Sequence, residues 1–205
     1  MSAGKVSVDM AHGAALAPLV PDLARLRVTV FRAWPYLYDG SHEYEANYLR
    51  TYVNAAGAGI AIARDGNTVI GASTCLPMPE AGADVQAPFL AASLDPAAFF
   101  YFGESVLLEA YRGHGIGVRF FELREARARE LGRARIATFC AVNRPADHPA
   151  RPPDAAGLDA FWTHRGYTRR PDLACHMRWK DTGDCQETEK TLTFWMKSLD
   201  GSALP

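Results

Sequence analysis

The chain has 205 residues and a formal net charge of −1, and 48% of its residues are hydrophobic. This length suits a domain with a substantial core, and the near-neutral charge excludes the basic footprint of a nucleic-acid-binding protein. No apolar run approaches the roughly 20 residues of a membrane-spanning helix and no secretory signal is visible, so we expect a cytoplasmic protein. Four scattered cysteines without a CxxC pair predict no metal site.

The first predicted elements are two helices and a hairpin. Leucines at spacings of three and four indicate helical stretches within 16–38, and tyrosines along one side indicate a second helix over 43–54. Strands are predicted at 59–63 and 68–76, because the turn Asp65-Gly66-Asn67 between them is typical of a β-hairpin.

The middle of the chain alternates strand and helix. A segment rich in Pro, Ala and Gly over 77–96 predicts a loop and a short helix, and apolar residues over 99–108 predict a central strand. After a glycine-rich loop, a helix is predicted over 116–131 with Gly132 as its C-terminal cap. The arginines of 124–135 alternate with glutamates, which predicts a solvated helix face.

The last third predicts a strand over 135–142, a proline-containing loop, and a short helix over 155–165 with Asp154 as its N-cap. Apolar and polar residues alternate around 175–180 and 192–197, which indicates two closing strands. This order of elements favours an α/β protein with a mixed sheet and helices on both faces.

The glycine-rich loop reads Arg112-Gly113-His114-Gly115-Ile116-Gly117 and lies between a strand and a helix. Glycines allow positive φ and close approach of a ligand, and the first turn of a helix has free N–H groups at the positive end of its dipole. These features predict a cradle for phosphate oxygens. The spacing fits neither a Rossmann fingerprint nor a Walker loop, and a tight turn with glycines for packing alone is the alternative.

The residues Arg112-x-x-Gly115-x-Gly117 resemble the acetyl-CoA loop of the GNAT family of N-acetyltransferases, whose pattern is Gln/Arg-x-x-Gly-x-Gly/Ala. Downstream, Phe161-Trp162-Thr163-His164-Arg165-Gly166-Tyr167 is similar to an aromatic segment on the last helix of that family. The resemblance implies one domain over residues 1–205 with the GNAT acyl-CoA N-acyltransferase fold, a central twisted sheet with two splayed strands. Insertions are expected near 77–96 and 144–154.

The resemblance also implies that acetyl-CoA lies between the splayed strands, 99–108 and 135–142, and that its acetyl group passes directly to a primary amine. The acceptor is expected to be a small amine or an amino acid derivative, and a protein N-terminus, a lysine and an aminoglycoside-like antibiotic are the alternatives. The implied coenzyme A contacts are Leu107, Leu108, Arg112, Gly113, His114, Gly115, Ile116, Gly117, Val118 and Asn143. Asn143 could instead simply begin the turn that follows its strand.

Proton transfer needs further groups, and Glu104 is the candidate base because it lies inside an apolar strand near the expected acetyl group. Its alternative role is a structural carboxylate bonded to an arginine or to the backbone. Trp162 occupies the position where the family often has a tyrosine acid, and an indole cannot supply that proton. Tyr101, His148 and Cys140 remain open as candidate acids.

The acceptor region is expected in the leading helices and their connection. Trp34, Tyr38 and Glu43 combine aromatic faces with a carboxylate, which suits a cationic amine, although aromatic residues on a helix also pack against sheets. A homodimer is expected if apolar residues of the final strands are exposed. The alternative to an enzyme is a non-catalytic acyl-CoA-binding or regulatory module.

Overall fold

The computed structural model describes residues 6–205, which contain a seven-stranded sheet with helices on both faces. The strands are β1 (Val6–His12), β2 (Gly59–Asp65), β3 (Thr68–Pro77), β4 (Phe99–Leu107), β5 (Ile136–Val142), β6 (Thr168–Trp179) and β7 (Thr188–Ser198). The helices are α1 (Val20–Phe31), α2 (His42–Asn54), α3 (Ala83–Ala91), α4 (Ile116–Leu131) and α5 (Asp159–His164). These elements confirm the predicted α/β class.

The two faces of the sheet carry separate apolar cores, because successive side chains of a strand point to opposite sides. On β2, Ile60 and Ile62 pack with α1 and α2. Ala61 and Ala63 of the same strand pack with α4 on the other face. Burial of each large aliphatic side chain in these cores stabilises the fold by about 2 kcal/mol.

The sheet has the order β1-β2-β3-β4-β5-β7-β6, and β4 with β5 is its parallel pair. The α4 crossover joins these two strands, as parallel neighbours require. They pair only at their beginnings, from Phe99 with Ile136 to Tyr101 with Thr138. Beyond this point the two strands no longer pair, which confirms the predicted mixed sheet with splayed central strands.

A β-bulge lies in β4 where the strand leaves β5. Ser73 pairs with Ser105 and Cys75 with Phe102, so Gly103 and Glu104 together face the single residue Thr74. The extra residue reverses the side-chain alternation. Phe102 therefore packs in the core beside α4, whereas Val106 packs beside α1 and α2. The bulge places Glu104 on the α1 and α2 face.

Two local predictions were wrong. The structure begins with β1, an edge strand paired antiparallel with β2, where no strand was predicted. Its signal is the alternation of Val6, Val8 and Met10 with polar residues, which is short. The strand is stabilised by pairing with β2 and by packing of Val8 and Met10 against the core beside α4. The last helix, α5, begins after Leu158 and not after Asp154, and it ends at His164.

The predicted solvated face of α4 was also wrong at its centre, where Arg124, Glu125 and Arg127 are buried. The Arg124 guanidinium lies over the ring of Phe102, with 4.2 Å to its centroid, and burial lowers the pKa of this arginine. Glu125 accepts hydrogen bonds from Lys197 Nζ at 2.8 and 2.9 Å. Charge on this helix is therefore compensated by aromatic rings and partners from other elements.

Within residues 6–205 no helix is long and apolar enough to cross a membrane. The exposed large apolar side chains of this described part are Val6, Tyr44, Leu90 and Leu158, none of which lies in β6 or β7. The homodimer stays a prediction. Cys75, Cys140 and Cys175 are buried free thiols in strands, where they pack as small apolar residues.

Candidate active site

The glycine-rich loop connects β4 to α4 and is exposed from Arg112 to Gly115. Gly113 and Gly115 both have left-handed backbone conformations, with φ of +81° and +78°. A Cβ atom at either position would meet nothing within 4 Å, so the glycines are required by conformation and leave an open face. Gly115 is also the N-cap of α4.

Six consecutive backbone N–H groups, from Gly113 to Val118, donate no hydrogen bond to any group in residues 6–205. The first backbone bond of α4 runs from Arg119 N to Gly115 O, at 3.1 Å. Free N–H groups at the N-terminus of a helix, together with the helix dipole, form an anion site. The loop therefore fits the pyrophosphate of a nucleotide-containing ligand such as coenzyme A.

Leu107 and Leu108 lie at the end of β4, beside the gap between β4 and β5. The Leu108 N–H donates to Ile70 O at 3.0 Å, which removes this donor from those available to a ligand. Residues of an antiparallel pair alternate between bonded and non-bonded positions. The Leu107 N–H therefore points away from β3 and toward the gap, where a ligand carbonyl could accept its hydrogen bond.

Asn143 follows β5 and was predicted as a coenzyme A contact. Its Nδ2 donates to Thr193 Oγ1 at 2.9 Å, and its Oδ1 lies 3.5 Å from Arg169 Nη2. Its backbone N–H bonds to Thr191 O at 2.9 Å. These bonds tie Asn143 to the neighbouring strands β6 and β7, so a ligand would have to share its amide with them.

Glu104 is buried, with 6% of its surface exposed, and it belongs to an ionic cluster beneath α1 and α2. Arg27 Nη1 lies 2.8 Å from Glu104 Oε2, and Arg27 Nε donates to Glu45 Oε2. Tyr52 Oη donates to the same Glu104 oxygen at 3.4 Å. The Oε1 atoms of Glu104 and Glu45 are buried without a hydrogen-bond partner in the described part of the chain.

The charged groups of this cluster stabilise one another in spite of their burial. Burial alone would lower the pKa of Arg27, but the carboxylates of Glu104 and Glu45 raise that pKa well above its ordinary value. Burial, reinforced by the charge of Glu104, raises the pKa of Tyr52 as well, so this phenol stays protonated and can donate. One guanidinium thus contacts two glutamates, and the formal charge of the cluster, counted from these three residues, is −1.

Neither Arg27 nor Glu45 was predicted to be a partner of Glu104. Both interrupt apolar stripes: Arg27 lies four residues after Leu23 on α1, and Glu45 lies four residues before Leu49 on α2. A charged residue on a buried helix stripe is the signal that could have identified them.

Tyr101 and Cys140 lie next to each other at the point where β4 and β5 separate. Their Oη and Sγ atoms are 3.4 Å apart, and Cys175 Sγ lies 3.8 Å from Cys140 Sγ. Hydrogen bonding from Cys175 and then from Tyr101 lowers the pKa of the Cys140 thiol in spite of its burial. Burial raises the pKa of Tyr101 well above its ordinary value. Tyr101 and Cys140 thus place a hydroxyl and a thiol beside the gap.

A clamp centred on Arg144 fixes the connection between α1 and α2. Its guanidinium binds both oxygens of Asp181, at 2.6 and 2.9 Å, and donates to Pro35 O and Tyr36 O at 2.8 and 2.6 Å. A bidentate pair of this kind is both strong and directional. An open groove of about 720 Å³ lies beside the clamp, and His148 belongs to its lining.

The predicted acceptor residues lie around this connection but do not all converge. The Trp34 ring packs on the His148 ring, with 5.3 Å between centroids, which joins the α1–α2 connection to the loop after β5. Tyr38 is half-buried and pairs through its backbone with Asp181. Glu43 is exposed in the first turn of α2. His148, a candidate acid, thus lines the groove edge.

Trp162 packs in the core between β5 and β7, with its ring centroid 5.1 Å from those of Phe139 and Trp195. Its surroundings are aromatic, consistent with a packing role. Phe161 on the same helix would lie 3.7 Å from a Cβ at Gly117, so α5 supports the first turn of α4. Tyr167 is buried and donates to Glu125 Oε1 at 3.1 Å.

Comparison with known proteins shows which family the chain resembles. The acetyltransferase (GNAT) family model matches residues 23–152, which is most of the chain. A comparison with curated proteins gives no match.

Solved structures share the fold at low sequence identity. An acetyltransferase from Thermus thermophilus is 16% identical, with a TM-score of 0.56 over 94% of this chain and 97% of that chain. A Salmonella typhimurium protein described as an acetyltransferase, solved with its cofactor acetyl-CoA, is 12% identical, with a TM-score of 0.58 over 98% and 97%. An aminoglycoside 6'-N-acetyltransferase complexed with coenzyme A is 12% identical, with a TM-score of 0.60 over 96% and 99%. With the family match and this fold, the chain belongs to the acetyltransferase (GNAT) family.

Proposed function

We propose that this chain is an N-acetyltransferase that transfers an acetyl group from acetyl-CoA directly to a primary amine of a small-molecule acceptor. The observation that carries the proposal is the row of six free N–H groups from Gly113 to Val118, next to the gap between β4 and β5. An anion site and an adjacent gap between strands are the two features that a phosphate-bearing thioester needs.

The residues around the gap have separable roles. Bound acetyl-CoA supplies the acetyl group as an activated thioester. The N–H groups of the loop would hold the pyrophosphate, and the open faces of Gly113 and Gly115 leave room for it. The Leu107 N–H would donate to the thioester carbonyl and stabilise the negative charge that develops on its oxygen. Because the Leu108 N–H is bonded to Ile70 O, Leu108 could contact the ligand through its side chain.

Proton transfer involves Glu104 on one side and the Tyr101 and Cys140 pair on the other. An aliphatic amine has a pKa near 10, so it is protonated at neutral pH and must lose a proton before it attacks. Glu104 Oε1 is a buried acceptor without a partner in the described chain and can take that proton. The Tyr101 hydroxyl, which stays protonated, can stabilise the departing thiolate.

The acceptor is proposed to be a cationic amine that enters beside Trp34, Tyr38 and Glu43. The net negative charge of the cluster formed by Arg27, Glu45 and Glu104 attracts an ammonium group, and aromatic faces at the entrance favour the same charge. A small molecule is proposed, and the rest of it could lie in the open groove beside Arg144 and His148, whose ring packs on Trp34.

A non-catalytic acyl-CoA-binding module is the second candidate, and Trp162 is the observation that favours it. Its position in an aromatic core removes the acid that the family often places there. The module would bind acetyl-CoA and release no thiol with any amine.

The test is titration of acetyl-CoA by calorimetry, followed by release of free thiol with a panel of amines. The panel contains an alkylamine, a polyamine, a lysine derivative, an aminoglycoside and a peptide with a free N-terminus. Micromolar binding with thiol release from one amine class is the expected result. Binding without release from the whole panel would favour the module, and absence of binding would overturn the proposed function.

A further inference from the structure

The two oxygens of the Glu104 carboxylate have different surroundings. Oε2 lies 2.8 Å from Arg27 Nη1 and accepts from Tyr52 Oη at 3.4 Å. Oε1 is buried and has no partner within residues 6–205. Burial of a polar atom without a hydrogen bond is unfavourable, so such atoms are rare and need an explanation. One oxygen is anchored and the other is left for a group outside the described chain.

The anchor of Glu104 is itself held from several directions. Arg27 Nε donates to Glu45, and the guanidinium lies 4.3 Å from the centroid of the Tyr48 ring. Tyr48 Oη and Tyr52 Oη are 3.3 Å apart, which links the aromatic support to the second donor on Glu104. The position of Oε2 therefore depends on α1 and α2 together, and not on the flexible side chain of Glu104 alone.

Glu45 lies on α2, outside the two strands that flank the gap, and its side chain is completely buried, with an exposure of 0%. Glu104, in contrast, lies on the β4 bulge, just past the last pair between β4 and β5. The two carboxylates share one guanidinium but lie in different places. Glu45 partly neutralises Arg27, so the guanidinium orients Glu104 while the cluster keeps a net negative charge.

From this arrangement we infer that Arg27 and Glu45 are positioning residues that hold Glu104 Oε2 and thereby present Oε1 to the acceptor nitrogen. The inference rests on the proposed function. In the transfer, an N–H bond of the acceptor ammonium breaks and an O–H bond forms at Oε1. The nitrogen lone pair then bonds the acetyl carbon, and the C–S bond breaks with its electron pair left on the sulfur. A second N–H bond of the same nitrogen breaks, and that proton ends on the thiolate, which gives the amide and the free thiol of coenzyme A.

The experiment is a set of double-mutant cycles measured with acetyl-CoA and the amine of the panel that releases thiol fastest. Glu45→Gln and Arg27→Lys are each made alone and combined with Glu104→Gln. Because misplacement of a catalytic group costs up to about 100-fold, each single variant should lower kcat by about tenfold or more. The Kd for acetyl-CoA should stay unchanged. In combination with Glu104→Gln, neither change should lower kcat further, because residues that act through one group are not additive.

A merely structural role gives a different result. Equal losses of kcat with and without Glu104→Gln would overturn the inference, as would an unchanged kcat in both Glu45→Gln and Arg27→Lys. Tyr52→Phe removes only the second donor to Oε2 and should fold even if a charge change does not. It should lower kcat by a few-fold, and the loss should vanish when combined with Glu104→Gln. The matched control is Tyr44→Phe, on the exposed side of the same helix, which should change nothing.

The failures of the two proposals can be told apart. A wild-type protein that releases no thiol with any amine overturns the proposed function and this inference with it. A wild-type protein whose rate falls on Glu104→Gln, but stays constant on Glu45→Gln, Arg27→Lys and Tyr52→Phe, overturns the inference alone.

Discussion

The glycine-rich loop and the cluster of Arg27, Glu45 and Glu104 are built in opposite ways. The loop is a continuous stretch of backbone, and its free N–H groups follow from two glycines and the start of a helix. The cluster joins side chains from α1, α2 and β4, and its geometry exists only when those three elements pack together. The proposed pyrophosphate site is therefore local in the sequence, whereas the proposed site of proton transfer depends on tertiary structure.

The largest expected effect concerns the glycine-rich loop. Gly115→Glu should weaken acetyl-CoA binding by about 100-fold or more, because it adds strain at positive φ and negative charge beside a pyrophosphate. Calorimetry measures the affinity. Gly183→Glu is the matched control, since Gly183 also has positive φ and open space but lies in the turn before β7. If both variants weakened acetyl-CoA binding equally, the loop would not be the pyrophosphate site.

The next largest effect concerns Glu104, in the cluster that depends on tertiary structure. Glu104→Gln should lower the rate of thiol release by about 100-fold at neutral pH, which is typical of the loss of a general base. The loss should shrink toward the pKa of the acceptor amine, near 10, where the amine deprotonates by itself. Acetyl-CoA affinity should persist. A constant loss across this pH range would show that Glu104 is structural, and Glu109→Gln, at an exposed position, is the control.

The β4 bulge links the two regions, and a smaller effect is expected there. A Cβ atom at Gly103 would lie 2.0 Å from Tyr52 Oη and 2.5 Å from Thr74 Oγ1. Gly103→Ala should therefore lower the free energy of unfolding by about 2 kcal/mol, as overpacking does. Denaturant unfolding measures this change. Gly82→Ala has free space around the new Cβ atom and is the control, and an equal stability of both variants would contradict the close approach.

The smallest effect concerns the Arg144 clamp. Burial alone would raise the pKa of Asp181, but the hydrogen bonds and charges of Arg144 and Lys190 lower it below its ordinary value. This pair should therefore stabilise the fold at neutral pH and lose that effect as the pH falls below about 4. Asp181→Asn should cost about 1 kcal/mol at pH 7 and less near pH 3. A loss that does not depend on pH would show that its charge is not involved.

The sequence predicted those parts of the fold that repeat a local pattern. Apolar periodicity placed α1, α2 and α4, and the run from Phe99 predicted the central strand. It did not predict β1, because that strand depends on its pairing with β2. It placed the start of the last helix wrongly, since Asp154 is a suitable cap that lies too far from the residues that pack.

The site was predictable to a similar degree. The loop could be recognised because conformation and function reside in the same residues. Glu104 was noted for its apolar neighbours, but its partners could not be found, since Arg27 and Glu45 are 77 and 59 positions away along the chain. The bulge that orients Glu104 also has no local signal beyond Gly103. Local sequence patterns do not predict interactions between elements that are distant in the chain.

The most direct test of the central claim compares two ligands by calorimetry, acetyl-CoA and S-acetylpantetheine, which carries the thioester arm without the pyrophosphate. If the N–H groups of Gly113 to Val118 hold the pyrophosphate, acetyl-CoA should bind in the micromolar range and S-acetylpantetheine about 100-fold more weakly or worse. Equal affinities for the two ligands would contradict the account, because the loop would then contribute nothing to binding.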